Sequence, residues 1–469
     1  MIYSYKRQIL ATLAATAVFA SCVTKKYQQP VVNTDKLYRD TTISDTTSMA
    51  NMPVNQLFSD TVLVNLIQEG LRENLDLKTA VQRINEAQAT FNQSKAAYLP
   101  SLEGSASATR AKTSAASLNF PPEFASSFNL KTTTYQAALN TSWEADIWGK
   151  LSSAKRAALA DLLKSDAAKR AVQTQLISDI ANAYYNLLAL DQQLAITQQT
   201  LTIRVKDVET VKALKEGAVV NGAAVVQSEA NRYAAEVTIP DLKQSIREAE
   251  NALSILLARA PGTIKRTSLN EQKPVADLKT GIPSQLLKNR PDVQEAEFAF
   301  RSAFENTNLA RTYFYPQLTI TGQAGLSTLQ LKNFFDHSIF YNFVGGITQP
   351  IFNKGQNRAR LRTAQAQQLE AYYAYQKSLL TAGQEVTNAL FSYQNAIEKQ
   401  GSRAKQLQAL EKSVDFTKEL LRYSSATNYT DVLTSEQSLL AAQLSGVNDR
   451  LQELQSIVNL YRALGGGWK

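Results

Sequence analysis

"TTYQAALNTSWEADIW", residues 133–148, decides how this chain folds. Its odd positions hold Tyr135, Ala137, Leu139, Thr141 and Trp143, and its even positions hold Gln136, Ala138, Asn140, Ser142 and Glu144. Side chains of a strand point alternately to its two sides, so this pattern gives one apolar, aromatic face and one polar face. Upstream, "SLEGSASATRA" (101–111) alternates more weakly with small residues, and "SAASLNFPPEFASSF" (114–128) carries a Pro pair and reads as the loop between two strands.

Outward from the strands the chain reads as helix. Two short amphipathic helices precede them, one over Asp60–Asn74 and one over Leu75–Tyr98, the latter with Leu77, Val81, Ile84, Ala87 and Phe91 on one face and Pro100 as its stop. After the strands, a helix runs from about Lys150 to Leu214. Its stripe is Val172, Leu176, Ile180, Ala183, Leu187, Leu194, Leu201, Val205 and Val208. Steps of three, four and seven are coiled-coil spacing. About 65 residues at ~1.5 Å each make a rod of roughly 100 Å. A turn at "EGAVVNGAA" (216–224) leads into a second helix ending near Ala258. With only 18 Gly and 12 Pro in 469 residues, few positions break such helices.

The pattern then returns. "KAAYLPSL" (95–102) answers "RTYFYPQL" (311–318), "ANAYYNL" (181–187) answers "TNALFSY" (387–393), and "VVQSEANRYAAEV" (225–237) answers "VLTSEQSLLAAQL" (432–444). Two further strands fall in "PQLTITGQAGLST" and "FYNFVGGITQPIF". A second long helix runs from about Gln356 to Leu421 with Leu407, Leu410, Val414, Thr417 and Leu421 in its stripe. An internal repeat of this length marks a duplicated architecture. The expected layout is a leader (1–21), an extended tether (22–52), a first repeat (53–265; strands within 100–146, long helices within 150–258) and a second repeat (266–469; strands within 316–352, long helices within 355–463).

Four strands cannot close a barrel by themselves, and strands in lipid must belong to a closed one. Several chains, each giving four strands, resolve this; three would give twelve. The other reading keeps the strands in water as a cap on a helical bundle. The first residues add a location. Lys6-Arg7 precedes an apolar stretch from Ile9 to Ala20, too short to span a bilayer and suited to a secretory leader. It ends in Phe19-Ala20-Ser21 before Cys22, the only cysteine. Small residues before a cysteine resemble a lipobox, in which the thiol is acylated; an ordinary leader with an incidental cysteine is the alternative.

Catalysis is hard to build from these residues. One histidine (His337) and one cysteine leave no nucleophile–base set. No metal-ligand spacing and no phosphate-binding glycine loop occur, and the many carboxylates read as solvated helix faces, although a glycosidase could hide among them. Net charge is a dispersed +9 with no basic stripe, which argues against nucleic acid. His337 reads as an exposed loop residue, and Phe334, Phe335 and Tyr341 as an interfacial aromatic belt.

Asn74-Leu75-Asp76-Leu77, "WEADIWGKLSSAKRAA" (143–158), "GIPSQLLKNRPDVQEAE" (281–297), "ITQPIFNKGQNRARL" (347–361), "YTDVLTSEQSLLAAQ" (429–443) and "LYRALGGGW" (460–468) resemble the outer-membrane factor family, the TolC-like exit ducts of bacterial efflux and secretion. The closer likeness is to the lipoprotein branch of multidrug-efflux outer-membrane proteins, and it runs from about Pro53 to Trp468. The resemblance implies a mainly α fold with a β-barrel portion. That fold is a homotrimeric long α-helical barrel continuous with a twelve-stranded antiparallel transmembrane β-barrel, four strands per chain, in two structural repeats. It implies a passive, cofactor-free channel in the bacterial outer membrane, lipid-anchored at Cys22, with a long periplasmic portion. It also implies a periplasmic membrane-fusion adaptor, an RND-type inner-membrane pump and outer-membrane lipid as partners. By the same resemblance Tyr423 and Asp431, in "RYSSATNYTDVLT" (422–434), match a periplasmic aperture, where a ring of carboxylates attracts cations. Asp431 as a helix N-cap and Tyr423 as a packing residue are the plainer readings. An exit duct for type I protein secretion and a coiled-coil envelope scaffold without a pore are the alternative functions.

Overall fold

The computed structural model describes residues 23–32, 34, 37–39, 47–117, 130–274, 278–423 and 429–469. Cys22, the leader and most of the β1–β2 connection lie outside them. Helix α1 (Thr61–Glu73) starts where the Asp60 carboxylate accepts the backbone N–H of Val62 at 2.8 Å, an N-cap that satisfies donors the helix cannot. Asn74 alone separates it from α2 (Leu75–Ala96); its Oδ1 accepts from Leu77 N, and its Nδ2 donates to the Leu256 carbonyl, both at 2.9 Å. Strands β1 (Ser101–Lys112) and β2 (Lys131–Ala145) follow, then α3 (Lys150–Glu216) and α4 (Gly222–Leu256). The order recurs as α5 (Pro291–Thr312), β3 (Gln317–Thr328), β4 (Ile339–Thr348), α6 (Gln356–Tyr423) and α7 (Tyr429–Ala463). Lengths recur with it: 22 residues in both α2 and α5, 67 and 68 in α3 and α6, 35 in both α4 and α7.

The chain forms two compact units, each drawing on both halves. One gathers Asn85–Leu163 and Glu297–Tyr373 with the N-terminal segment to Pro30. Its centre is an antiparallel sheet in the order β1-β2-β3-β4. Register puts Leu102, Thr141, Gly322 and Phe343 in one row, and Gly104, Leu139, Ala324 and Tyr341 in the next row on the same face. Glu103, Asn140, Gln323 and Asn342 form a row on the opposite face. There Asn140 donates to Ser105 Oγ at 3.0 Å and Gln323 donates to Asn140 Oδ1 at 2.8 Å. The alternation at 135–143 and at 318–326 therefore builds one continuous apolar face. Tyr341 sits in the middle of that face, not at its border as the belt reading had it. β1 and β4 each leave one edge unpaired among the described residues.

The strand-to-helix corner is fixed locally. Asp146 accepts from the first-turn N–H groups of Leu151 and Ser152 at 2.8 and 2.9 Å, and Gly149 takes φ +75, which a side chain rarely adopts. Of the segment read as a tether, residues 23–30 belong to this unit and the described residues from Val31 on belong to the second, contrary to an onset of structure near Pro53. Tyr27 packs edge-on against Phe304 with ring centroids 5.6 Å apart, and Asn308 holds both the N–H and the C=O of Lys25. Aromatic burial and a paired backbone outweigh the segment's polar composition.

The second unit comprises Val31–Ile84, Lys164–Ala296 and Ala374–Lys469. Its core takes Leu63 and Ile67 from α1, Leu176, Ile180, Tyr184 and Leu187 from α3, Leu253 from α4, Leu379 and Val386 from α6, and Leu454, Ile457 and Tyr461 from α7. On α3, Leu176, Ile180 and Leu187 are stripe positions read from the sequence, whereas Leu379 and Val386 lie outside the stripe read for α6. α4 continues through Pro240, an exposed position at which water can take the carbonyl left without an N–H. A second set of apolar residues on α4, Val226, Tyr233 and Val237, stays exposed at coiled-coil spacing.

Candidate functional site

Two helical hairpins, α3–α4 and α6–α7, come together at their turns. The first turn closes with Ala218 N–H on the Lys215 carbonyl and Val219 N–H on the Leu214 carbonyl, at 3.0 and 2.9 Å, with Ala218 at φ +58. Asn221 then caps α4 by accepting from Ala224 N–H at 3.2 Å. Residues 424–428 of the second turn lie outside the described residues. The two residues matched to an aperture flank them. Tyr423 is the last residue of α6 and 84% exposed, so it does not serve as a packing residue in this chain. Asp431 is the third residue of α7, exposed and inside the helix; it is not the N-cap. In a first turn the helix dipole favours a carboxylate.

Behind these residues the hairpins are joined by an apolar cluster of Val211, Val225, Tyr429 and Leu433. The Tyr429 hydroxyl lies 2.8 Å from Ser228 Oγ. A cavity of about 550 Å³ opens beside it between the starts of α4 and α7, lined by Val219, Asn221, Gln227, Asn231, Thr430 and Gln437 among others.

One turn deeper lies a cluster of charges that sequence reasoning missed. Arg204 Nη1 donates to Glu436 Oε2 at 2.6 Å with both side chains almost wholly buried. Lys418 Nζ reaches Glu436 Oε1 at 2.6 Å and Asp207 Oδ1 at 4.0 Å. Burial, then the neighbouring Glu436 carboxylate, push Asp207 up to about 6. Burial also raises Tyr429 above the usual phenol value. The signal was present: Arg204 falls in the stripe between Leu201 and Val208, and Glu436 three residues after Leu433. A charge at a stripe position either breaks the seam or meets an opposite charge inside it.

Two of the motifs quoted above meet in the helical unit. Arg290, 5% exposed, pairs with Asp292 and with Glu385 at 2.6 Å, and donates to the Ala463 carbonyl at 2.9 Å. Trp468 Nε1 donates to the Asn289 carbonyl at 2.8 Å. Gly465, at φ +83, packs so closely that a Cβ would lie 2.3 Å from that same carbonyl oxygen. Asp60 joins α1 to the same core. Burial pushes it up, yet hydrogen bonds from Thr267, Gln272, Tyr184 and the Val62 N–H outweigh burial and hold it below the usual carboxylate range. His337 is exposed in the β3–β4 loop beside Asp336. Among the described residues no group of His, Cys, Asp and Glu could hold a metal ion, and no helix is long and apolar enough to cross a membrane.

Comparison with known proteins agrees with this architecture. The family described as "Outer membrane efflux protein" matches residues 66–259 and again residues 282–466. The solvent efflux pump outer membrane protein SrpC of Pseudomonas putida is 30% identical over 423 residues, covering 88% of this chain and 87% of its own. The probable outer membrane lipoprotein SilC of Salmonella typhimurium is 29% identical, with 98% of each chain covered. The open-state crystal structure of the Neisseria gonorrhoeae MtrE outer membrane channel superposes with a TM-score of 0.83 at 27% identity, covering 95% of this chain and 98% of that one.

Proposed function

Because this chain belongs to the outer membrane efflux protein family, we propose that three copies of it form the exit duct of a tripartite efflux system, passing small molecules from periplasm to exterior. The observation that carries the reading is the two-faced sheet whose β1 and β4 edges are unpaired among the described residues. A sheet with an apolar face can stand in lipid only when every edge is closed, and three copies supply twelve strands. Val226, Tyr233 and Val237 on α4 are the helical counterpart, a seam left for a neighbouring copy. The family's work is transport, not catalysis.

The finer assignments follow from the same reading. Tyr423 and Asp431 form the periplasmic aperture, and the cavity between the starts of α4 and α7 receives a periplasmic adaptor that relaxes it. The energy comes from an inner-membrane pump of the RND type. Cys22 carries acyl chains, and the docked segment around Lys25 and Tyr27 leads from that anchor; SilC, similar over 98% of both chains, bears the name lipoprotein. The sequence is organised as a leader, a docked N-terminal segment and two repeats. Small molecules are favoured over secreted protein as cargo because SrpC is named a solvent efflux component. A pore-free scaffold would need no lipid-facing sheet.

The test is extraction and conductance. The expected result is a chain released from membranes only by detergent, at the mass of three copies, that conducts ions across planar bilayers. A folded monomer in detergent-free buffer overturns the proposal.

A further inference from the structure

Charge is segregated between the two faces of the sheet. On the apolar face the charged residues of the four strands are Arg110 and Lys112 of β1 and Lys131 of β2, all exposed and all at the end where β1 and β2 are joined by a loop. The strands' acidic residues, Glu103 and Glu144, belong to the polar face. Lys112 and Lys131 stand directly opposite each other. Together the three residues concentrate positive charge at that end of the apolar face, which favours an anionic ligand.

Position identifies the anion. Along β2 the apolar rows run from Ala145 to Tyr135, about 33 Å at ~3.3 Å per residue. With a strand tilt of about 40° that becomes roughly 25 Å, the height of the lipid-facing band of a barrel. Arg110 lies one row beyond Tyr135 and Lys112 two rows beyond, so the basic residues reach the headgroup layer that flanks the hydrocarbon. The opposite strand ends run into α2 and α3, which under the proposed function face the periplasm.

We infer that Arg110, Lys112 and Lys131 form a phosphate-binding fringe that grips the headgroups of outer-leaflet lipid around the barrel. The guanidinium of Arg110 matches two phosphate oxygens at once, and the two lysines add point charges. This inference rests on the channel reading: it needs a lipid-embedded barrel with its loop end outward.

The experiment uses the full-length protein in non-ionic detergent. A bis-phosphorylated multi-acyl glycolipid and the same lipid with its phosphates removed are offered, and retention is measured by intact-complex mass spectrometry. The wild-type protein should prefer the phosphorylated lipid by at least about tenfold, given the attraction each basic side chain contributes. Arg110→Gln with Lys112→Gln and Lys131→Gln should abolish the preference, whereas Arg110→Lys with Lys112→Arg and Lys131→Arg should keep it. Inorganic phosphate should displace no more lipid than sodium chloride of equal ionic strength; selective displacement would mean a free-phosphate site and overturn the lipid assignment. No preference in the wild type, or an undiminished preference in the glutamine variant, also overturns the proposal. If that variant does not assemble, the wild-type preference must weaken as salt rises, and salt-insensitive retention counts against it. Failure to form a trimer in detergent removes the channel reading instead, so the two failures are told apart.

Discussion

Hairpins α3–α4 and α6–α7 carry the same dipeptide at matching places, Ser228-Glu229 and Ser435-Glu436, and each glutamate meets a lysine near the end of the preceding helix. In the first hairpin Glu229 and Lys212 pair at 2.8 Å with side chains 36% and 54% exposed. In the second, Glu436 and Lys418 pair at 2.6 Å with Glu436 only 7% exposed, and Arg204 of α3 closes on the same carboxylate. Duplication supplied the pair twice. Packing against the other hairpin turned one copy into a buried clasp and left its sibling in water. The hairpin bearing Tyr423 and Asp431 is the one the clasp holds.

The largest effect should come from Glu436→Ala. It leaves Arg204 buried without its carboxylate, a loss on the order of 3–5 kcal/mol for a broken buried pair. Hydrogen exchange in the trimer should show it as faster opening on both sides of the second turn. Unchanged protection there would mean that the clasp does not hold the hairpin, and the contrast between the two would collapse.

Next is a dependence on pH that only the clasped hairpin should show. Asp207, raised to about 6, faces Glu436, Lys418, Arg204 and Tyr429. A carboxyl whose pKa is raised on folding stabilises most when protonated. Its contribution is full below the unfolded value of about 3.9 and is lost as pH climbs through about 6. Acidification from pH 7.5 to 5 should therefore tighten the second hairpin and slow its exchange, after correction for the intrinsic rate. Asp207→Asn should flatten that response. An undiminished response in that variant would show that Asp207 is not its source.

The aperture assignment sharpens the comparison in function. Tyr423→Ala with Asp431→Ala should raise the conductance of the trimer in planar bilayers, because both residues flank the turn of the clasped hairpin. Val219→Ala, at the turn of the other hairpin, should leave conductance near the wild-type value. The reverse ranking would move the aperture to the first turn.

These contrasts also separate what the residues disclosed in advance from what they did not. Alternation at 135–143 and 318–326 fixed which side chains share a face, because side-chain direction in a strand depends only on parity. Both ends of α3 and α6 and the C-terminal end of α4 were legible to within two residues, and the start of α4 to within three; Gly217 and Asn221 interrupt the stripe between the two helices of the first hairpin. Tyr423 and Asp431 came from resemblance, and the structure places them at the helix ends beside one turn. The clasp was not foreseen. Lys212 and Arg204 look alike along the chain, and only the approach of α7 distinguishes them. Docking of Tyr27 on Phe300 and Phe304 was hidden for the same reason, since its partners lie about 270 residues away.

The smallest effect, and the control for all the others, is Glu229→Ala. Its carboxylate is held below the usual range by Lys212, yet both side chains are exposed. Water solvates each charge when the other is removed, and salt screens the pair, so the loss should be small beside that of Glu436→Ala. Exchange at both turns should be nearly unchanged, and the small difference that remains should vanish at high salt. A loss as large as that of Glu436→Ala would mean that Glu229 is buried in the trimer by a neighbouring copy. The asymmetry between the hairpins would then belong to the single chain and disappear on assembly.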